Sequence, residues 1–223
     1  MREVVLDTET TGLDPNAGHR IVEIGCVELL NHVPTGRIYH TYLNPERLMP
    51  EEAFAVHGLS DAFLADKPRF AGVTDDLAAF LGDSPLIIHN AAFDLGFINA
   101  ELSRLRLPPL AGERAIDTVR MARSRFPGAP ASLDALCKRF DIDLSDRSLH
   151  GALKDARLLA EVYLQLKGGR EPGLALASPA QRARLTARPT GRAALLVEPS
   201  PQEDAAHRVF VGRLTKALWL AEG

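Results

Sequence analysis

The run Val4-Val5-Leu6 followed by Asp7-Thr8-Glu9 constrains this chain more than any other stretch, because an apolar, β-favouring segment ends there on two carboxylates. Side chains at i and i+2 of a strand project to the same face, so Asp7 and Glu9 stand side by side while Leu6 and Thr8 point the other way. Two carboxylates that close repel, and burying either one unpaired costs on the order of several kcal/mol. Something positive is expected between them, and oxygen ligands suit a hard divalent cation such as magnesium or manganese. A lone Asp-x-Glu fits an exposed strand end with two solvated acids better. The rest of the chain has to decide.

A chain of 223 residues, 46% of them hydrophobic, can bury one substantial core with some chain left over, so one globular domain plus an appendage is expected. Met1-Arg2-Glu3 leads straight into the first strand, and no apolar run approaches the roughly 18 residues of a spanning helix. A soluble, cytoplasmic protein without a membrane partner is the expectation. Cys26 and Cys137 are far apart and lack metal-ligand spacing, which predicts buried reduced thiols. The formal charge is −3 overall, but residues 168–198 carry +3 and the segment from Pro199 onward is balanced, so residues 1–167 carry −6. A body this acidic holds polyanionic DNA weakly unless metals or a partner offset the repulsion.

Along the chain, Leu13-Asp14-Pro15-Asn16-Ala17-Gly18 is turn chemistry, Ile21 to Leu30 reads as a second strand and Gly36 to Leu43 as a third, closing an antiparallel meander. Pro50-Glu51-Glu52 opens a short helix that ends near His57-Gly58, and Ala71 to Leu81 supplies an amphipathic one. Pro85 to Ile88 is a short buried strand, followed by His89-Asn90 and a helix over residues 91–105 with Asn90 as its N-cap. A strand at Ala115-Ile116-Asp117 is followed by helices over 118–125, 132–140 and 151–166, the last stopped by Gly168-Gly169. The order predicts an α/β fold, a mixed sheet with helices on both faces. Beyond Gly169 the composition shifts to Pro, Gly, Ala and Arg, which reads as a linker. Val209-Phe210-Val211, Leu214, Leu218, Trp219 and Leu220 then crowd apolar groups into a short segment, either a docked helix or a partner-binding tail.

Three further positions join the first two acids. Asp94 falls in the first turn of its helix, where the dipole alone would favour it. Asp155 stands beside the apolar stripe of Ala152 and Leu159, and a carboxylate facing inward needs a reason. His150 lies just before that helix, next to Gly151, where it can serve as a general base if a metal is near. Four acids and one histidine make a site for two hard cations, with Asp7 placed to bridge, and two such ions serve in-line displacement at phosphorus. The inferred reaction is phosphodiester hydrolysis.

These residues also carry a resemblance. Val5 to Leu13, His89-Asn90-Ala91-Ala92-Phe93-Asp94 and His150-Gly151-Ala152-Leu153-Lys154-Asp155-Ala156 resemble, in order, the three motifs of the DEDD-type 3′→5′ exonucleases, with the histidine of the DEDDh subclass. Within that family the chain is similar to the epsilon proofreading subunits of bacterial DNA polymerase III over residues 2–167. The resemblance implies a ribonuclease H-like fold and divides the chain into an exonuclease domain (1–167), a flexible linker (168–204) and a polymerase-binding tail (205–223). By the same likeness Asp7, Glu9, Asp94 and Asp155 hold two divalent cations, Mg2+ or Mn2+, and His150 is the general base. Asp7, Glu9, Thr10, Glu52, His57 and Asp155 would meet the 3′-terminal nucleotide, with Thr11 and Gly12 beside them. The implied partners are a DNA 3′ end, single-stranded or frayed, and the polymerase III alpha subunit. The sliding clamp is a further possible partner: Glu171-Pro172-Gly173-Leu174-Ala175-Leu176 resembles a clamp-binding motif but has Glu171 where glutamine is usual. Two other functions compete, an exonuclease of RNA 3′ ends similar to ribonuclease T and a polymerase-assembly scaffold without catalysis; the complete acid set counts against the scaffold.

Overall fold

The computed structural model describes residues 1–145, 149–169 and 199–213. The chain divides into two units, Met1–Gly173 and Leu174–Gly223. In the first, β1 (Arg2–Thr10), β2 (Ile21–Leu30) and β3 (Val33–Tyr42) form the antiparallel meander, followed by short helices α1 (Glu51–His57) and α2 (Asp61–Leu64) and by α3 (Thr74–Leu81). β4 (Leu86–Ile88) and β5 (Ala115–Asp117) then add in parallel on the other side of β1, giving the order β3-β2-β1-β4-β5. α4 (Ala91–Arg104) joins these two strands, and α5 (Thr118–Arg125), α6 (Leu133–Arg139) and α7 (Ala152–Leu166) complete the unit.

β1 is the central strand, which is why Val4, Val5 and Leu6 are apolar without alternation: both faces of the sheet are covered. Val4 and Leu6 join Ile24, Cys26, Leu86 and Ile88 in a core shared with α3 and α4. Val5 joins Val27, Leu29 and Ile87 in a second core with α5, α6 and α7. Both cysteines are free and buried, and burial pushes the Cys137 thiol up to about 11.

The departures from the sequence reading are local. β3 starts at Val33, three residues early, because Asn31 and His32 take φ values of 51° and 69° and close a two-residue hairpin loop without the usual glycine. Phe70–Gly72 is a separate 3-10 turn, so α3 begins at Thr74 rather than Ala71. α2 was not expected; the Ser60 hydroxyl caps it by accepting the Phe63 N–H at 3.2 Å. Asn90 does not cap α4 with its side chain. It sits in the left-handed region, φ 68°, and the Asp117 carboxylate accepts its N–H at 3.3 Å.

In the second unit, α8 (Pro201–Val211) opens with a capping box between Ser200 and Glu203 and exposes Val209 and Phe210. It begins inside the stretch expected to be linker. The clamp-like segment 171–176 and the apolar residues Leu214, Leu218, Trp219 and Leu220 lie outside the described residues. Among the described residues, no helix is long and apolar enough to cross a membrane.

Candidate active site

The carboxyl ends of parallel strands are where α/β sheets place their ligands, and the site lies at that end of β1. Asp7 and Glu9 share the face of Val5, which α7 covers. Asp155, in the first turn of α7, shares its buried stripe with Ala152, Ala156 and Leu159 and is 4% exposed. Asp94 arrives from the first turn of α4 on the opposite face and is 3% exposed. Thr8, which points that way, donates its hydroxyl to Asp94 Oδ1 at 2.7 Å. One strand therefore addresses acids on both layers: alternate residues of β1 meet α7 and α4.

The electrostatics follow from this crowding. Burial, then the charges of Asp94, Glu9, Asp155 and Glu23, hold the Asp7 carboxyl well above the usual carboxylate range. Burial also pushes Asp94 up to about 7, against the opposing hydrogen bonds from Thr8 and the backbone. Such a cluster carries more negative charge than its surroundings can solvate, and a cation reverses the penalty.

His150 stands half-exposed over the cluster, its Nδ1 3.1 Å from Asp155 Oδ2, and its backbone N–H donates to the Val56 carbonyl at 3.2 Å. Glu9, His150 and Asp155 each present one donor atom, all within 4.8 Å of one another. That spacing suits ligands around a single ion, and the mainly carboxylate donors of the whole cluster fit a hard divalent metal. A cavity of about 280 Å3 opens beside them, with Asp7, His89 and Asp134 in its wall.

A larger cleft of about 680 Å3 lies along the Thr8-to-Leu13 segment, closed by Glu52 and His57 of α1 and by Phe93 of α4. Thr10 and Thr11 use their hydroxyls on the loop itself. Thr10 donates to the Gly12 carbonyl at 2.6 Å, and Thr11 Oγ1 accepts the Arg20 N–H at 3.0 Å. His57 is buried, and its Nδ1 accepts the Leu59 N–H, so Nε2 carries the proton. Among the described residues, His57 Nε2 is the one buried side-chain nitrogen or oxygen without a hydrogen-bond partner. Burial lowers the His57 pKa, against the opposing pull of the Thr10 backbone. A neutral ring whose N–H faces a cleft is ready for an acceptor on a ligand.

The family model described as Exonuclease matches residues 4–163, which takes in all four acids and His150. The chain belongs to the exonuclease family. Its similarity to DNA polymerase III subunit epsilon of Rickettsia felis is 50% identity over 97% of this chain and 98% of that protein. For the same subunit of Escherichia coli K12, identity is also 50%, over 75% of this chain and 72% of the relative. The nuclease domain of 3′hExo, a DEDDh family member bound to rAMP, superposes with a TM-score of 0.64 at 20% identity, over 75% of this chain and 92% of that one. The fold is thus ribonuclease H-like, and the chain is a 3′→5′ exonuclease with the family's dependence on divalent metal.

Several residues that shape this exonuclease's site are not conspicuous in its sequence. Gly25, the β2 partner of Asp7, is one: a Cβ there would stand 2.3 Å from the backbone of Ala152 and Leu153. The first turn of α7, and with it Asp155, approaches the sheet only because this position has no side chain. Glu23, paired across from Glu9, is a further buried acid and is held by His40 Nε2 at 2.7 Å. An acid inside the apolar run Ile21 to Leu30 is the same signal that marks Asp7. Arg20 clamps the cleft loop to α4 through a two-pronged contact with buried Glu101 at 2.6 and 2.8 Å, a pairing between distant positions that no local pattern announces.

Proposed function

We propose that this exonuclease removes mispaired nucleotides from the 3′ end of DNA as the proofreading subunit of a replicative polymerase. The observation that carries the reading is the junction of an acid cluster, with His150 over it, and a cleft of nucleotide size lined by Glu9, Glu52 and His57. Near-full-length similarity to proteins named DNA polymerase III subunit epsilon supports the assignment to replication.

In this reading Asp7, Glu9 and Asp155 hold one divalent cation, and Asp7 and Asp94 a second, either magnesium or manganese. When bound, the pair supplies charge stabilisation for the attacking and leaving oxygens of an in-line displacement at phosphorus. His150 takes the proton from the attacking water, and its place in the loop before α7 lets the ring move to do so. Water adds its oxygen to phosphorus, the bond to the preceding 3′ oxygen breaks, that oxygen takes a proton from solvent to become the new 3′ hydroxyl, and the terminal nucleotide departs as its 5′-monophosphate. Thr10 and the backbone edge of β1 bear on the terminal sugar, Phe93 packs against the base, and Glu52 and His57 Nε2–H hold the nucleotide's polar edge.

The acidic body then has a rationale. Tethering to the alpha subunit through the tail raises the local concentration of the frayed end, so intrinsic affinity for DNA can stay low. The exposed Val209 and Phe210 of α8 support a partner-binding use of that segment. The test is digestion of a 5′-labelled primer, paired or with a 3′ mismatch, in manganese. A stepwise ladder from the 3′ end, faster on the mismatch and absent with His150→Ala, is expected. Intact primer with folded wild-type protein would sink the proposal.

A further inference from the structure

The exonuclease cleft accounts for the terminal nucleotide but not for the strand it belongs to. Among the described residues, the cavity that contains Asp7, His150 and Asp155 has no lining residue in common with the cleft, and it shares His89 and Ser132 with a groove of about 520 Å3. This groove runs between α5 and the Ala129-to-Ser132 segment, and Arg120 and Arg123 line it from α5. One turn apart, the two guanidinium groups fall on one helix face.

Their state is the second observation. Two arginines nearby are committed: Arg114 donates to the Gly82 and Ser84 carbonyls, and Arg125 to those of Gln165 and Leu166. Arg120 and Arg123 are exposed and have no hydrogen bond or ion pair to another described residue. The acid in the groove, Asp117, is already used, accepting the Val119 N–H at 2.8 Å and the Asn90 N–H at 3.3 Å. Two uncommitted cations thus face a channel that starts at the acid cluster, in a body whose first 167 residues carry −6.

We propose that this groove is the track of the strand upstream of the scissile bond, with Arg120 and Arg123 gripping its phosphodiester backbone. The inference rests on the reading of the cleft as the terminal-nucleotide site. With that nucleotide in the cleft and the bond to be cut at the acids, the strand must leave the acids by a path other than the cleft, and the groove, which joins the acid cavity through His89 and Ser132 and shares no described residue with the cleft, provides one. Base edges are not read there, so the grip is independent of sequence and suits an enzyme that must accept any 3′ end.

The test compares binding of labelled single-stranded DNA of two and eight nucleotides by anisotropy, in a His150→Ala background so that the strand survives. Affinity should rise with length, and Arg120→Ala/Arg123→Ala should remove about tenfold at eight nucleotides and far less at two. The slope of log affinity against log salt should become shallower by about 1.4, the value for two single-strand phosphate contacts. Arg120→Glu/Arg123→Glu should lose more. Length dependence and salt slope equal to those of the intact groove would overturn the proposal. The two readings fail separately: if His150-intact protein shortens the strand with unchanged KM in the double variant, the groove alone is wrong. If wild type shortens no strand, the function is wrong and the groove falls with it.

Discussion

The two ends of β1 each bury a carboxylate on the α7 face, and they solve the problem in opposite ways. Glu3 is completely buried, and both oxygens are served, Oε1 by the Tyr163 hydroxyl at 2.7 Å and Oε2 by His32 Nδ1 at 2.8 Å. Asp7 and Glu9, four and six residues on, face other acids, and Asp7 is driven toward its protonated form. The first arrangement is closed and needs nothing more; the second leaves negative charge unbalanced, which a cation would offset. A buried acid is therefore not a functional signal in itself. What marks function is a buried acid whose neighbours are also acids.

The sharpest break of that comparison is to remove one charge from each end. Asp7→Asn should lower hydrolysis by more than about a thousandfold, at the upper part of the range for removing one group of a catalytic set, and leave a folded protein. Glu3→Gln should leave hydrolysis in place, as read on the 5′-labelled primer. If both variants kept activity, the distinction between the ends would be empty.

Divalent cation should sharpen it further. At about one hundred times its dissociation constant, magnesium or manganese stabilises the folded chain by about 2.7 kcal/mol, which raises the melting temperature of wild type and of Glu3→Gln alike. Asp7→Asn should show little of the rise. Gly25→Ala comes next in size. Its methyl group pushes the start of α7 off β2, with a loss of about 1–3 kcal/mol by chemical denaturation and reduced hydrolysis as Asp155 shifts. Unchanged stability and rate would mean that the close approach of α7 to Gly25 is dispensable.

The pH dependence of the metal-free protein has a definite sign. Folding raises Asp94 from its ordinary value to about 7, so the folded chain binds more protons than the unfolded chain between those limits. Stability from this source is full below the unfolded pKa and is lost as pH rises through about 7. Thermal melts in chelator should fall over that window and fall less for Asp94→Asn. The smallest effect is expected at the satisfied end: Glu3→Gln trades a matched acceptor for an amide that can still accept from Tyr163, and should cost about 0.5–1.5 kcal/mol.

Apart from the one-turn helix α2, the chain's order of strands and α-helices could be read directly from its sequence, because short-range patterns determine them. Apolar runs over Val4–Leu6 and Leu86–Ile88 predict buried strands, and the Ala152 to Leu159 stripe predicts α7 with Asp155 turned inward. What escaped depends on backbone conformations that local composition does not announce. Asn31 and His32 make a turn usually marked by glycine, and Asn90 takes a left-handed conformation instead of capping α4.

For the site, the sequence alone determined the candidates: two acids at a strand end, two in first turns and a histidine before a helix, each legible from its own few neighbours. Only the tertiary structure decided what those residues become together. That Glu9, His150 and Asp155 bring donors within 4.8 Å depends on Gly25 admitting α7 to the sheet. The orphaned N–H of His57, the Thr8 bond to Asp94 and the uncommitted Arg120 and Arg123 beside the acids are likewise products of packing. The physical reason is range: propensity and periodicity act over a few residues, whereas desolvation and Coulomb coupling act between whatever the fold brings together.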